Sequence, residues 1–506
     1  LIITIGGIEM SKLTLEELES HLWESANILR GSIDSADYKN YIFGLLFLKR
    51  MNDVFMENRK EIIEEYGEEL ADDQDFYTKS KVYVPERARW SEIQKQNEDI
   101  GAAINKAFVV LEQENPPLEG VLTTVDFNDK DRLPDSVLEK LIQHYTDLKL
   151  DNDHLADPDL LGRAYEYLIR QFADDAGKKG GEFYTPREVV QLLVRILDPK
   201  EGQRVYDPCC GSGGMLIYSA EHIRKEDENG MENISLFGQE RNLNTWSIAK
   251  MNMFLHDLYD AQIKRGDTFT EPLFLEDGGK LQQFDRVIAN PMWNQSYAKG
   301  DIKESQAYNR FNYGFPPKNS ADWAWVQHML ASANRDGKIG VVLDNGVLFR
   351  SRSEGKIRKK ILKEDLIEAV IALPSNLFYN TSSPGCILML NKNKPVARKE
   401  KIIFIYGEED YEEGSNQNFL RDKDLDKILD AYHNFEDIEK YCRVADMEEI
   451  ERNDFNLNVP RYVDTTEEEE LVDVEEVLTE LDHLEKERDE IESEMMCYLK
   501  ELGYHG

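Results

Sequence analysis

From "GKKGGEFYTP" (residues 177–186) onward, short strand candidates alternate with helical stretches, and nothing else narrows the fold as far. The strand candidates are Arg204–Asp207, Ile234–Gln239, Gln262–Gly266, Arg286–Ala289, Ile339–Leu343, Ile367–Ala372 and Cys386–Leu390. Strands separated by helices pair mainly in parallel, because a parallel neighbour needs a crossover connection. The alternation therefore predicts a doubly wound α/β domain. Ligands of such sheets bind where strands end at their carboxyl edge, so the residues at the strand tips are the first candidates for a site.

Four tips carry polar residues. The first strand closes with Asp207-Pro208, and Gly211-Ser212-Gly213-Gly214 makes a tight turn before a helix from Met215. Glycines there let a ligand approach backbone N–H groups, and a helix N-terminus can hold a carboxylate. The spacing is not the G-x-G-x-x-G of dinucleotide sites. "LFGQE" ends the second strand at Glu240, where a carboxylate can accept from both hydroxyls of a ribose. "KRGDTF" puts Asp267 at the third tip, where a carboxylate can accept from an adenine amino group. Each alone also reads as a turn or a surface acid. In strand order they describe one nucleoside pocket. The fourth tip is "DRVIANPMWNQS". Asn290 offers one acceptor and two donors, and the carbonyl of Pro291 adds a second acceptor. Two acceptors aimed at one point suit an NH2 group, and Trp293 beside them offers a flat face for stacking.

The rest of the chain sets the context. With 506 residues, several domains are expected. Lys+Arg 61 against Asp+Glu 99 gives a net charge of −38, the opposite of the basic footprint of a protein that grips nucleic acid alone. Work on DNA would need a local basic strip or a partner. Five cysteines without a metal-type C-x-x-C pair fit a reducing cytoplasm and no metal site. No run is long and apolar enough for a membrane span. The start, "LIITIGGIEMSKLT", lacks a basic n-region, so no signal peptide is expected. Met10 reads as a natural start and 1–9 as an extension of uncertain origin. Residues 10–150 read as a helical domain, with Thr14 and Glu17 placed for a capping box and Leu15, Leu18, Leu22 and Ala26 on one face. A further helix is expected to start at Asp157-Pro158. Residues 151–464 hold the α/β domain. Residues 465–506 form a C-terminal helical segment, with Val477, Leu481, Leu484, Arg488, Ile491, Met495, Tyr498 and Leu502 on a heptad seam that needs a partner subunit or its own domain to pack on.

At this point the residues resemble a family. "NPMW" resembles the Asn-Pro-Pro-Phe/Tyr motif of amino-group DNA methyltransferases, "DPCCGSGGML" their S-adenosylmethionine motif, and "GGEFYTP" the segment that completes that site. "DYKNYIFGLLFLKRMND", "GFPPKNSADWAWVQHML", "LPSNLFYNTSSPGCILMLNK" and "FNLNVPRYVD" narrow the resemblance to the modification subunit of type I restriction–modification systems.

The resemblance implies a Rossmann-like S-adenosylmethionine-dependent methyltransferase domain with an N-terminal α-helical domain and a C-terminal long helix. It implies that Phe183, Tyr184, Thr185 and Pro186 hold the methionine part of the cofactor, with Asp207, Gly211, Ser212 and Gly213 beneath it. Glu240 would hold the ribose and Asp267 the cofactor's adenine. Asn290 and Pro291 would accept from the amino group of a flipped target adenine, and Trp293 would stack on it. The implied partners are a specificity subunit, a restriction subunit and double-stranded DNA, in the cytoplasm and away from membranes. Met292 stands where the family has a second proline, and Trp293 replaces Phe or Tyr. Other readings stay open: a non-catalytic cofactor-binding scaffold, amino-cytosine methylation, a cytosine-5 nucleophile at Pro208-Cys209, and an oxidoreductase.

Overall fold

The computed structural model describes the chain outside residues 1, 6–7, 35–36, 78–81, 157–159, 162–163, 165–166, 169–184, 227–232, 298–299, 301–307, 379–380, 415–416, 466–473 and 503–506. The expected helix start at Asp157, and Phe183 and Tyr184, lie outside the described residues. Two compact units result, residues 1–463 and 464–506.

After an antiparallel strand pair, Ile2–Ile5 with Ile8–Ser11, the first unit continues with a helical layer that includes α1 (Leu15–Leu29), α2 (Tyr38–Tyr66), α3 (Ile100–Glu114) and α4 (Asp135–Thr146). α1 starts with the expected capping box. Thr14 Oγ1 accepts from the Glu17 N–H at 3.4 Å, and the Glu17 carboxylate accepts from the Thr14 N–H at 2.9 Å. Leu18, Leu22 and Ala26 are buried as their spacing requires. α2 is buried on all sides from Tyr41 to Asn52. The charged heads within that stretch are therefore paired: Lys49 Nζ donates to the Leu148 carbonyl at 2.5 Å and Arg50 Nη2 to Asn152 Oδ1 at 2.5 Å.

The seven expected strands and two further ones form a nine-stranded sheet: β1 (Arg204–Asp207), β2 (Ser235–Glu240), β3 (Gln262–Arg265), β4 (Phe284–Ala289), β5 (Ala333–Asp344), β6 (Ile367–Ala372), β7 (Gly385–Asn391), β8 (Lys401–Tyr406) and β9 (Cys442–Asp446). Their order is β3-β2-β1-β4-β5-β7-β6-β8-β9. The pairs from β3 to β5 and the β6–β8 pair are parallel. β7 runs antiparallel between β5 and β6, and β9 closes the edge antiparallel to β8.

The period of two sends alternate side chains to two cores. Val205, Ile288 and Ile371 pack under α5 (Arg187–Leu197), α6 (Gly214–Glu226) and α7 (Leu243–Leu255). Tyr206, Val287 and Val370 pack under α8 (Asp322–Ser332) and α9 (Arg352–Lys363). α7 also serves the helical layer, where Phe254 meets Phe47 of α2 with ring centroids 5.5 Å apart. A helix buried on two sides cannot be strongly amphipathic, which explains its "WSIAKMNMFL" texture.

The strand order reverses between β1 and β4, which pair through Tyr206 and Val287. That reversal is the switch point at which an open α/β sheet splays its loops and leaves a crevice. The second unit contains one long helix, α10 (Val474–Glu501).

Candidate active site

The tips of β3, β2, β1 and β4 lie side by side at the carboxyl edge of the sheet, and they carry Asp267, Glu240, Asp207 and Asn290 respectively. Asp207 is almost fully buried and accepts from the Cys209 N–H at 3.0 Å. Burial, with the nearby Glu240 carboxylate adding to it, pushes its pKa up to about 7. The loop then turns through Gly211 at φ 54° and Gly213 at φ 87°. A Cβ on Gly213 would stand 2.5 Å from Met253 Cε of α7, while a Cβ on Gly211 would project into open space. Gly213 is thus needed for helix packing, and Gly211 leaves a bare backbone beside open space.

Glu240 meets the glycine loop from the neighbouring strand. Its Oε2 accepts from the Gly211 N–H at 3.1 Å and its Oε1 from the Asn242 N–H at 2.7 Å. A carboxylate only accepts, so it suits the two hydroxyls of a diol. Asp267 Oδ1 accepts from the N–H of Phe269 at 2.9 Å and of Thr270 at 3.3 Å, and its Oδ2 faces the exposed Arg241 at 3.1 Å.

On the other side of β1, Asn290 Nδ2 donates to Thr185 Oγ1 at 2.8 Å, and its Oδ1 accepts from Trp293 Nε1 at 3.1 Å. Pro291 is buried and Met292 is exposed. Asn294 follows at φ 54°, with its N–H held by the buried Asp322 carboxylate at 2.9 Å. Arg350 Nη1 in turn donates to Asp322 at 3.1 Å.

The structure thus brings together Asp207, Gly211 and Glu240, and separately Thr185, Asn290 and Trp293. Several contributors carried no sequence signal. Arg310 is a buried guanidinium that donates to the carbonyls of Thr268 at 2.7 Å and Phe269 at 2.6 Å, the two residues after Asp267. Its Nη1 also faces His328 Nδ1 at 3.1 Å. Guanidinium only donates, so Nδ1 accepts and the ring proton sits on Nε2, which faces the Tyr206 hydroxyl at 3.2 Å. Burial and Arg310 keep His328 neutral, its pKa well below the usual histidine range. Thr268 Oγ1 ties the same loop to the Pro208 carbonyl at 2.5 Å.

The Cys209 thiol is pushed well above its ordinary range by burial and by Asp207 and Glu240. A protonated thiol in the first-strand loop is a poor nucleophile, which disfavours the cytosine-5 reading.

Fold and strand-tip arrangement are those of an α/β methyltransferase. Residues 156–471 match the N-6 DNA methylase family, and residues 18–145 match the HsdM N-terminal domain. The chain is 38% identical to the type I restriction enzyme MjaVIII methylase subunit of Methanocaldococcus jannaschii, over 98% of this chain and 86% of that one. It is 34% identical to the HindI methylase subunit of Haemophilus influenzae, over 83% of this chain and the whole of the other. The type I restriction–modification methyltransferase subunit from Streptococcus thermophilus superposes with a TM-score of 0.79 at 31% identity, covering 90% of this chain and all of that one. The chain belongs to the N-6 DNA methylase family, among the methylase (modification) subunits of type I restriction–modification systems. It is an adenine-specific DNA methyltransferase, and its fold and family imply S-adenosylmethionine as methyl donor.

Proposed function

We propose that the crevice at the β1/β4 switch point holds S-adenosylmethionine beside a target adenine flipped out of double-stranded DNA. The residues present suit that cofactor. The bare backbone at Gly211 leaves space for a ligand, Glu240 sets a carboxylate beside the glycine loop that can accept from ribose hydroxyls, and the buried Asp207 carboxyl gains stability as an anion when a cation lies near it. When bound, the cofactor supplies an electrophilic methyl group on a sulfonium. Thr185 and Pro186, together with Phe183 and Tyr184, would hold its methionine part, Asp207, Gly211, Ser212 and Gly213 the loop beneath it, Glu240 its ribose and Asp267 its adenine.

Asn290 and the Pro291 carbonyl accept the two hydrogens of the target's amino group. That nitrogen is a weak nucleophile because its lone pair is delocalised into the ring. Two fixed acceptors favour the pyramidal nitrogen on which positive charge develops, and alignment in the crevice lowers the entropic barrier. Trp293 stacks on the base. The observation that carries this reading is the position of Asn290 at the strand next to the glycine loop, with its amide held from both ends.

A net charge of −38 argues that DNA is gripped largely through other chains. We assign that role to a specificity subunit, with a restriction subunit joining for cleavage, and place the first docking surface on α10. Transfer of tritiated methyl to duplex DNA, with and without the co-encoded specificity subunit, tests the scheme. Transfer is expected only with the partner and is expected to vanish in Asn290→Ala. Undiminished transfer by that variant refutes the role of Asn290, and efficient transfer without the partner refutes the charge argument. A complex that binds the cofactor yet never transfers methyl would make the chain a scaffold.

A further inference from the structure

The indole of Trp293 makes a contact that the family's usual Phe cannot make. We infer that Trp293 is a positioning residue: its Nε1–H fixes the orientation of the Asn290 side-chain amide. The inference rests on the reading of Asn290 as acceptor for the target amino group. An indole N–H only donates. The Asn290 atom that faces it at 3.1 Å must therefore be the oxygen, and the opposite end, Nδ2, donates to Thr185 Oγ1 at 2.8 Å. Turning the amide over would set two donors against each other and leave both unsatisfied. The oxygen has two lone pairs, so one remains free after the indole has taken the other.

The pocket is shaped for this larger ring. Trp293 meets Phe378 nearly edge to face, with centroids 4.7 Å apart and planes at 67°. Gly385, the first residue of β7, lies against both rings. A Cβ there would stand 2.8 Å from Trp293 Cη2 and 2.6 Å from Phe378 Cε2. The missing side chain is what admits the indole.

The contact also offsets the other departure in the same motif. A proline at position 292 would fix φ near about −65°. Met292 imposes no such restriction, and its side chain is exposed. The loop is instead held by side-chain bonds: Trp293 to Asn290, and the Asn294 N–H to Asp322. The two unusual residues of "NPMW" thus form a matched pair.

The test compares Trp293→Phe, Trp293→Ala and Asn290→Ala with the parent chain, each assembled with the specificity subunit on a duplex carrying the site that the parent complex methylates. Three quantities are read: the single-turnover transfer rate, the affinity for S-adenosylmethionine, and the fluorescence of 2-aminopurine at the target position, which reports flipping. Trp293→Phe keeps the stacking face and loses only the donor. It is expected to slow single-turnover transfer about five- to tenfold, the cost of one hydrogen bond, with cofactor affinity and flipping signal within about twofold of the parent. Trp293→Ala is expected to lose flipping as well. A parent-like rate in Trp293→Phe, with Asn290→Ala inactive, overturns the positioning role and leaves the site reading intact. Loss of cofactor binding in Trp293→Phe also overturns it, by showing a structural defect. Transfer by Asn290→Ala at the parent rate overturns both.

Discussion

Arg310→Met tests whether the cofactor pocket is held from behind. The guanidinium is 1% exposed and makes two short bonds to the carbonyls of Thr268 and Phe269 and a third contact to His328. Burial lowers its pKa to about 10, so it is cationic at neutral pH. Methionine fills much of the volume but donates nothing, leaving two buried carbonyls and the His328 Nδ1 lone pair without donors. Each buried acceptor left without a donor costs about 1–3 kcal/mol. Relief from burying a cation, and the retained packing, return part of that. The expected net loss is about 2–4 kcal/mol, read from denaturant unfolding of the full chain by circular dichroism. Because the orphaned carbonyls sit directly after Asp267, affinity for S-adenosylmethionine should fall by about tenfold, roughly 1.4 kcal/mol, measured by calorimetry. Arg310→Lys keeps the charge but not the fork, and should fall between. Stability within about 0.5 kcal/mol of the parent, with unchanged cofactor affinity, would refute the idea that this buried arginine holds the loop.

Three further outcomes follow from other contacts. Asp207 has a folded pKa raised from 3.8 to about 7, so its contribution to stability is fully present below about pH 4 and is lost as pH rises through about 7. The unfolding free energy of the cofactor-free chain, read by denaturant titration, should therefore drop more between pH 5 and 8 than that of Asp207→Asn, by an amount on the order of 2–4 kcal/mol; parallel pH profiles would contradict this. Gly385→Ala puts a methyl group against two stiff rings and should cost about 1–3 kcal/mol of stability, with methyl transfer lost as Trp293 is displaced; thermal unfolding and transfer assays read the two effects. Removing residues 474–506 takes away a helix whose Leu481, Leu484, Ile491, Met495 and Tyr498 are each more than half exposed. The remainder should keep its thermal midpoint and lose capture of the specificity subunit, and a truncated chain that still assembles at full affinity would place the docking surface elsewhere.

The strand tips were legible because a parallel sheet leaves a simple trace: an apolar run ending in one polar residue. Asp207, Glu240 and Asn290 stand at such ends, Asp267 follows the short polar strand Gln262–Arg265, and the sheet brings the four strands together as neighbours. Seven strands could be read this way, and the sheet has nine. Lys401–Tyr406 is an interior strand with only four buried apolar residues, Ile402–Ile405, paired with a short edge strand, Cys442–Asp446, whose mixed texture resembles a surface loop. The capping box at Thr14 was legible because its two partners are three residues apart. Arg310 was not, because a lone arginine in a polar stretch looks solvated until the carbonyls of another loop are folded onto it.

Local sequence places the atoms that would react, and distant sequence aims them. The tips are set by strand endings, a property of a few consecutive residues. Their orientation depends on pairs far apart along the chain: Thr185 with Asn290, Arg310 with the residues after Asp267, Arg350 with Asp322 behind Asn294, and Gly385 beneath Trp293. Each pair joins the tip of one strand to a different element, so the site can be rigid only when the sheet is complete. A motif that departs from its family's spelling need not lose its function on that account. What decides is whether the distant partners have changed with it, and around "NPMW" the glycine of β7 and the donor-only indole supply that match.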